Sequence, residues 1–397
     1  VGRTVVRSFE ELRECRSPES ARRNERIRVA FCVDNMQVGG TELNAVRTAE
    51  RLDRCRFDLS VVCLQSDGPL MRRYSDVDIP VHIFPIRSLY GRHTFRQGLR
   101  LARYLRDNRI AVFHAHDLYS NIFGAPWARF AGTPAVLTSR RWWVQTPRWG
   151  HRLANRFSYR FADRVIANAP RVASLLESEG VRSSRVTVVP NFVDDDAFES
   201  FDPAEQRRRR AALGLPQRVC LIGMVANLTP VKDHTSLLRA MATLAPSWPA
   251  VNVVFAGEGP LRQHLQELAA EIGIGNRVHF LGLQPNRPNL HALFDVSVLC
   301  SRSEALSNSL IEAMAAARPL VATDVGANRD ALTDGVTGIL VPVSDPRRLA
   351  EAIDDLLRHE VRRREMGEAA QRRAREMFSA SRAIGTLEDL YEELTGK

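Results

Sequence analysis

The feature that most constrains this chain is an alternation of short β-branched runs with amphipathic stretches, which halts once and then resumes. Ile27–Val33, Phe57–Leu64, Val81–Ile86, Ala111–His114, Val136–Thr138, Val165–Ala167 and Val186–Val189 read as buried parallel strands. Strands covered by helices on both faces are apolar throughout rather than alternating. Helical patterns such as Thr41–Leu52, Thr94–Asn108 and Pro170–Ser178 lie between them. The alternation stops at Pro190, and a polar stretch suited to a linker follows. It restarts with Val219–Val225, Val251–Ala256, Val278–Leu281, Val296–Leu299, Leu320–Thr323 and Gly338–Val341. The expected class is α/β, with two Rossmann-like, doubly wound parallel-sheet domains facing a central crevice. The expected divisions are a loosely ordered leader over residues 1–26, an N-terminal domain over 27–197 and a C-terminal domain over 198–379. Ile384, Leu387, Leu390 and Leu394 predict a last helix, about 380–397, that packs back onto the N-terminal domain.

Composition narrows the function classes. Every apolar run ends well short of the ~18 residues of a membrane span, and the first residues lack the apolar core of a signal peptide. A cytoplasmic protein is the expectation. Six scattered cysteines form no CxxC and no Cys/His cluster, which argues for inert thiols and against zinc. Residues 1–200 carry 32 basic and 22 acidic side chains, whereas 201–397 carry 24 of each. The whole positive excess sits in the first half, so the two halves are expected to meet different partners. The arginine run Arg207–Arg210 follows Glu199, Asp202 and Glu205 and reads as a solvated helix face, so no nucleic acid partner is expected.

Ligands of doubly wound sheets bind at the loops after the strands. After Val296–Leu299 comes Ser301-Arg-Ser-Glu304-Ala-Leu-Ser307-Asn308-Ser309-Leu310-Ile-Glu312, a polar loop entering a helix. The free N–H groups and dipole of a helix start suit phosphate, and a carboxylate one turn inside, Glu312, suits ribose hydroxyls. The plain alternative is a capping residue with two solvated glutamates. Lys232, in the loop holding Asn227, is one of only two lysines beside 54 arginines. Its retention points to a compact ammonium on a diphosphate, against chance survival on a surface. Gly39 and Gly40 open the first helix, where paired glycines admit a ligand or simply make a tight turn. Gly257-Glu-Gly259-Pro has Arg262 where a dinucleotide fingerprint needs its last glycine, which disfavours a dehydrogenase. His114 and His116 end a strand; His114 is expected on the buried side and His116 facing the crevice. Asp76-Val-Asp78 and Asp194–Asp196 fall away from strand ends and read as turns, so no metal is expected.

Taken in order, these segments resemble the retaining nucleotide-sugar glycosyltransferases of family 4, the glycosyl transferases group 1, which have the GT-B fold. Gly39–Glu42, His114-Ala-His116, Asp163–Asn168, Val189–Asp194, Lys232, Gly257–Pro260, Val278–Gly282, Glu304–Glu312 and the stretch from Val325-Gly326 to Gly338 carry the resemblance. It implies transfer of a sugar from a UDP- or GDP-sugar to a glycan or lipid-linked hydroxyl, in cell-envelope or exopolysaccharide synthesis. It also implies roles. Glu312 would hold ribose and Glu304 the transferred sugar. Lys232, Gly40 and the amides around Asn308–Leu310 would take the diphosphate. Arg277 and Val278 would flank the base, with Gly39, Asn227, Ser307 and Ser309 beside the donor, and His116 would face the sugar. Asn227 stands where the family often has arginine. Rival readings are a GT-B epimerase or phosphorylase, and a catalytically silent sugar-nucleotide-binding protein.

A membrane-held acceptor is the last expectation, with the protein peripheral on the inner face of the cytoplasmic membrane. From Arg87 to Arg164 there are 15 arginines and three aspartates. Phe95, Leu99, Ala102 and Leu105 would share one helix face flanked by Arg96, Arg100, Arg103 and Arg106. Trp142, Trp143 and Trp149 follow, close to Arg140 and Arg141. Arginine beside tryptophan suits an anionic headgroup boundary; the alternative is a helix packed on its sheet and tryptophans lining a soluble acceptor's groove.

Overall fold

A computed structural model describes residues 26–65, 68–143, 149–284 and 287–397. The expected leader, apart from Arg26, lies outside the described residues. Each apolar run of the sequence forms a strand. The first seven are β1 (Ile27–Val33), β2 (Phe57–Cys63), β3 (Val81–Ile83), β4 (Val112–Ala115), β5 (Ala135–Arg140), β6 (Arg164–Ala167) and β7 (Val186–Val188). The next six are β8 (Leu221–Val225), β9 (Asn252–Ala256), β10 (Val278–Gly282), β11 (Val296–Leu299), β12 (Leu320–Thr323) and β13 (Ile339–Val341). One sheet has the order β3-β2-β1-β4-β5-β6-β7 and the other β10-β9-β8-β11-β12-β13. The pairing is parallel: Ile27 lies opposite Phe57 in the first sheet, and Leu221 opposite Asn252 in the second. The α/β class and the two doubly wound sheets are as expected. In each sheet the chain order reverses beside the first strand, between β1 and β4 and again between β8 and β11. Loops diverge at such a reversal and leave room for a ligand. Among the described residues no helix is long and apolar enough to cross a membrane.

By contacts the chain falls into two compact units. One comprises the residues up to Thr138 with Phe157–Asp163 and Glu388–Lys397; the other comprises Ser139–Arg156 with Arg164–Leu387. In the first unit Ala30, Val62, Leu101, Leu105, Phe113 and Val136 share a buried core. The end of the last helix (Ala380–Thr395) belongs to this unit. Glu388 accepts from the Asp53 N–H at 2.8 Å and from Arg56 at 2.9 Å, and the Tyr391 hydroxyl lies 2.7 Å from His114 Nδ1. Tyr391 is fully buried, so burial of its ring holds the helix and this hydrogen bond gives it a register.

The second unit packs Ile222, Met224, Leu237, Phe255, Val298, Val321 and Ile353 into its core. Here the arginine run departs from a uniformly solvated face. Arg208 and Arg209 pair with Glu205 at the surface, but Arg210 is buried. Its guanidinium donates to the carbonyls of Leu293 and Val219 and to Asp295 at 2.9 Å, while Asp295 also accepts from the Leu221 N–H. The helix Pro203–Ala212 is thereby fixed to the start of β8. Arg210→Met should cost about 3 kcal/mol, because it strands two carbonyls and a partly buried carboxylate. Arg208→Met should stay within about 0.5 kcal/mol. Urea denaturation of the two variants against the parent checks the contrast.

Candidate active site

The loops after β8 and β11 leave neighbouring strands at the reversal of the second sheet and are joined side by side. The Arg302 N–H donates to the Val231 carbonyl at 2.8 Å, and its guanidinium reaches both Asp233 oxygens at 3.2 and 3.3 Å. Next to this, Lys232 donates to Glu304, which also accepts from the Ser301 hydroxyl at 2.6 Å. Asp233 has a left-handed backbone, φ +50°, and accepts from Ser236 and Ser344 as well. Burial pushes its carboxyl up, but the bonds from Arg302, Ser344 and Ser236 outweigh that and hold it below its ordinary value. It therefore stays anionic and keeps Arg302 in place. The loop after β12 supports this edge from a third side. Gly326 has φ +50°, and a Cβ there would lie 1.6 Å from the Glu304 carbonyl, so only glycine fits.

The helix Asn308–Ala315 begins at the same edge. The Ser307 side chain makes no capping bond to it, so its first N–H groups are not covered by that hydroxyl. Asn191 donates to the Leu306 carbonyl and to Asn308 Oδ1, both at 2.9 Å, and Arg141 donates to Asn191 at 2.8 Å. Ser309 faces His291 at 3.3 Å, and Glu312 is buried one turn in. The structure thus brings together Lys232, Glu304, Ser307, Asn308, Ser309, Leu310 and Glu312. Asn227 lies half-buried in the loop after β8, backed by the Gly257 loop, where a Cβ on Gly257 would meet the Ala226 carbonyl at 2.0 Å.

Arg277 and Val278 do not join them. Val278 begins β10 and Arg277 ends the 3-10 turn before it, donating to the carbonyl of Ala245, the residue that ends the helix His234–Leu244. That helix runs antiparallel to the strands, so Arg277 lies at the opposite edge of the sheet. The same strand's far end, Leu281 and Gly282, is the part that reaches the site edge.

In the first unit, Gly39 precedes the helix Gly40–Arg51, but the Glu42 carboxylate folds back over it. A Cβ at Gly39 would lie 2.2 Å from Glu42 Oε2. Burial pushes Glu42 up to about 7, with Asp117 adding to the rise against its own N–H and the Asn35 amide. His116 also differs from expectation: it is fully buried. Its ring stacks on His114 at 4.0 Å and meets Phe31 edge-on at 4.5 Å. The reason is parity, since residues two apart on an extended chain share a face.

The arginine–tryptophan segment is likewise turned inward. Arg140 is buried, donates to the Trp142 carbonyl and to Glu179, and stacks 4.6 Å over Trp142. Arg141 is spent on Asn191, and Trp143 lies against Gly326. The Trp149 side chain is outside the described residues. Arg96, Arg100 and Arg103 remain exposed. Sequence reasoning did not single out Asp233, Ser301 and Arg302, which tie the loops together. Their adjacency to Lys232 and Glu304 was the available signal.

Two doubly wound sheets, the second with a lysine–glutamate pair and a helix start at its reversal, define a GT-B architecture. The family model described as Glycosyltransferase Family 4 matches residues 38–197, and that described as Glycosyl transferases group 1 matches 205–373. The chain belongs to this family of glycosyltransferases. EpsD of Bacillus subtilis (strain 168) is 31% identical over 216 residues, 54% of this chain and 56% of that protein. The D-inositol 3-phosphate glycosyltransferase of Salinispora tropica is 36% identical over 251 residues, 58% of this chain and 51% of that protein. The chain spans about half the length of these curated relatives. Anabaena HepE, solved in complex with UDP and glucose, superposes with a TM-score of 0.80 at 22% identity, covering 91% of this chain and 98% of that one. Sucrose-phosphate synthase from Thermosynechococcus elongatus gives 0.77 at 20% identity, covering 94% of this chain and 100% of that one. At such identities both establish the fold.

One buried and one half-buried group, His234 and Glu42, give the protein opposite pH dependences. Burial, and then Lys232, push His234 down to about 4. As pH falls from 6.5 to 4 the unfolded chain takes up a proton that the folded chain refuses, so this group's contribution falls with pH. Glu42 has the reverse sign: as pH rises from 4.5 to 7 the folded chain retains a proton that the unfolded chain releases, and stability declines. Glu42→Gln should match the parent near pH 4.5 and gain on it by about 2–3 kcal/mol as pH passes 7. Denaturant titrations across that range measure the difference; a constant offset would remove the assignment.

Proposed function

We propose that the protein transfers a sugar, with retention at the anomeric carbon, from a UDP- or GDP-sugar to a hydroxyl of a glycan or lipid-linked acceptor, in cell-envelope or exopolysaccharide synthesis. The observation that carries this reading is the convergence of Lys232, Glu304 and the start of the Asn308 helix at one strand edge. Separating the sugar from its diphosphate leaves positive charge on the ring and negative charge on the leaving group. Lys232 and the N–H groups of Asn308–Leu310 would take up the leaving group's charge without a metal, and preorganised donors of this kind are worth ~10²–10³ in rate. Glu304 would hold the sugar's hydroxyls, and Glu312 those of the ribose. His116, buried just before the helix that Asp117 caps, would position the reacting edge of the first unit. The complex of HepE with UDP and glucose, and the glycosyltransferase names of the curated relatives, support the donor class.

Lys232→Ala and Glu312→Ala should each weaken UDP or GDP binding about 10- to 100-fold, since each removes a hydrogen bond to or from a charged group. Lys232→Arg should also weaken it, because a planar fork does not replace a compact ammonium paired with Glu304. Calorimetry decides: parental affinity in all three variants overturns the site. A chelator should leave turnover unchanged, and product analysis with donor alone separates transfer from epimerisation.

A further inference from the structure

We propose that the outer face of the helix Arg92–Asp107, with Trp127 and Phe130 of the helix Leu118–Ala131, is a docking surface for an anionic lipid bilayer. The helix turns a different face outward from the one its sequence led to expect. Ala102 and Leu105, expected on one face with Phe95 and Leu99, are buried, together with Leu101, Thr94 and Gln97. Phe95 and Leu99 instead point outward, 58% and 40% exposed. At 100° per residue they fall on one stripe with Arg92, Arg96, Arg103 and Arg106, all exposed. Phe95 and Leu99 lie outside the buried core of this unit.

The neighbouring helix extends the patch. Trp127 lies over Gly98, so closely that a Cβ there would meet the indole at 1.9 Å. The indole packs edge-on against Phe95 at 5.3 Å and against Phe130 at 5.6 Å, and Phe130 is 63% exposed. Three aromatic rings therefore form a continuous ridge across two helices, each held by the next. Residues 87–106 contribute six arginines and no acidic residue around it.

This combination selects the occupant. Exposed rings call for an apolar phase, and arginines on the same face call for phosphate, which together describe a headgroup boundary. A soluble anionic glycan satisfies the arginines but leaves Phe130 in water. A second copy pairing through this face would bring one arginine stripe against another, at a cost in like-charge repulsion. The surface builds on the transfer reading only in giving a lipid-linked acceptor a place to be met; it uses no donor-site residue.

Flotation of the full chain with phosphatidylglycerol–phosphatidylcholine vesicles tests it, with phosphatidylcholine vesicles and high salt as comparisons. The parent should float with anionic vesicles at low salt and lose most of that binding at high salt. Phe95→Ser/Phe130→Ser and Arg96→Gln/Arg103→Gln should each reduce the bound fraction about tenfold, with melting temperature and calorimetric UDP or GDP affinity unchanged. A parent that binds nucleotide yet does not float overturns the surface, as does undiminished flotation of both double variants. A dimer in light scattering that the variants disperse assigns the face to a second copy and overturns it too. Flotation without nucleotide binding supports the surface while counting against the transfer reading.

Discussion

The candidate site depends on Arg302 and Asp233. β8 and β11 are adjacent, but the chain order reverses there, so the helices that follow them leave on different courses and nothing in the sheet itself holds their loops together. Arg302 closes that gap twice, through its backbone to Val231 and through its guanidinium to Asp233. Lys232 and Glu304 sit one and two residues away from these contacts and inherit their spacing. A planar guanidinium suits the task, because it loses little freedom on engaging both carboxylate oxygens. The left-handed backbone at Asp233 has a modest conformational cost, which is offset by three side-chain donors on one carboxylate.

Charge balance explains why this edge needs a helix start as well as a lysine. Lys232 already faces Glu304, so the pair contributes no net charge. In the proposed reading a diphosphate brings further negative charge beside that carboxylate. Asn227, at a position where the family often has arginine, contributes no cation. The N–H groups of Asn308–Leu310 then add positive potential, and their alignment is fixed by Asn191 on the Leu306 carbonyl and the Asn308 side chain.

The strands were legible in the sequence because burial on both faces leaves a contiguous apolar run, a signal that depends on no distant residue. The reversal points followed from that alternation, and so did the loops worth reading. Side-chain direction was not legible to the same degree. His116 follows the face of His114, and the Arg92–Asp107 helix splits its expected apolar face, turning Phe95 and Leu99 outward and burying Ala102 and Leu105. Arg140 is claimed by Glu179, thirty-nine residues away, and Arg141 by Asn191, fifty residues away. Arg277 stands at a strand start, so a motif that names the strand does not say which end meets a ligand. For Arg140 and Arg141 the deciding partner lies far along the chain, where local pattern carries no information.

The arginine-rich composition therefore divides into two populations with different physics. Arg140, Arg141, Arg210 and Arg302 are reaching groups, each spanning between elements to satisfy carbonyls, amides or carboxylates at short range. For them length and planarity matter as well as charge, and for Arg140, Arg210 and Arg302 a paired carboxylate offsets that charge. Arg92, Arg96, Arg103 and Arg106 stand in water on one helix face, and for them charge is the whole contribution. Counting arginines along the chain merges the two. What each already touches separates them, and the charges of the second population stand on the helix face that carries the exposed Phe95 and Leu99.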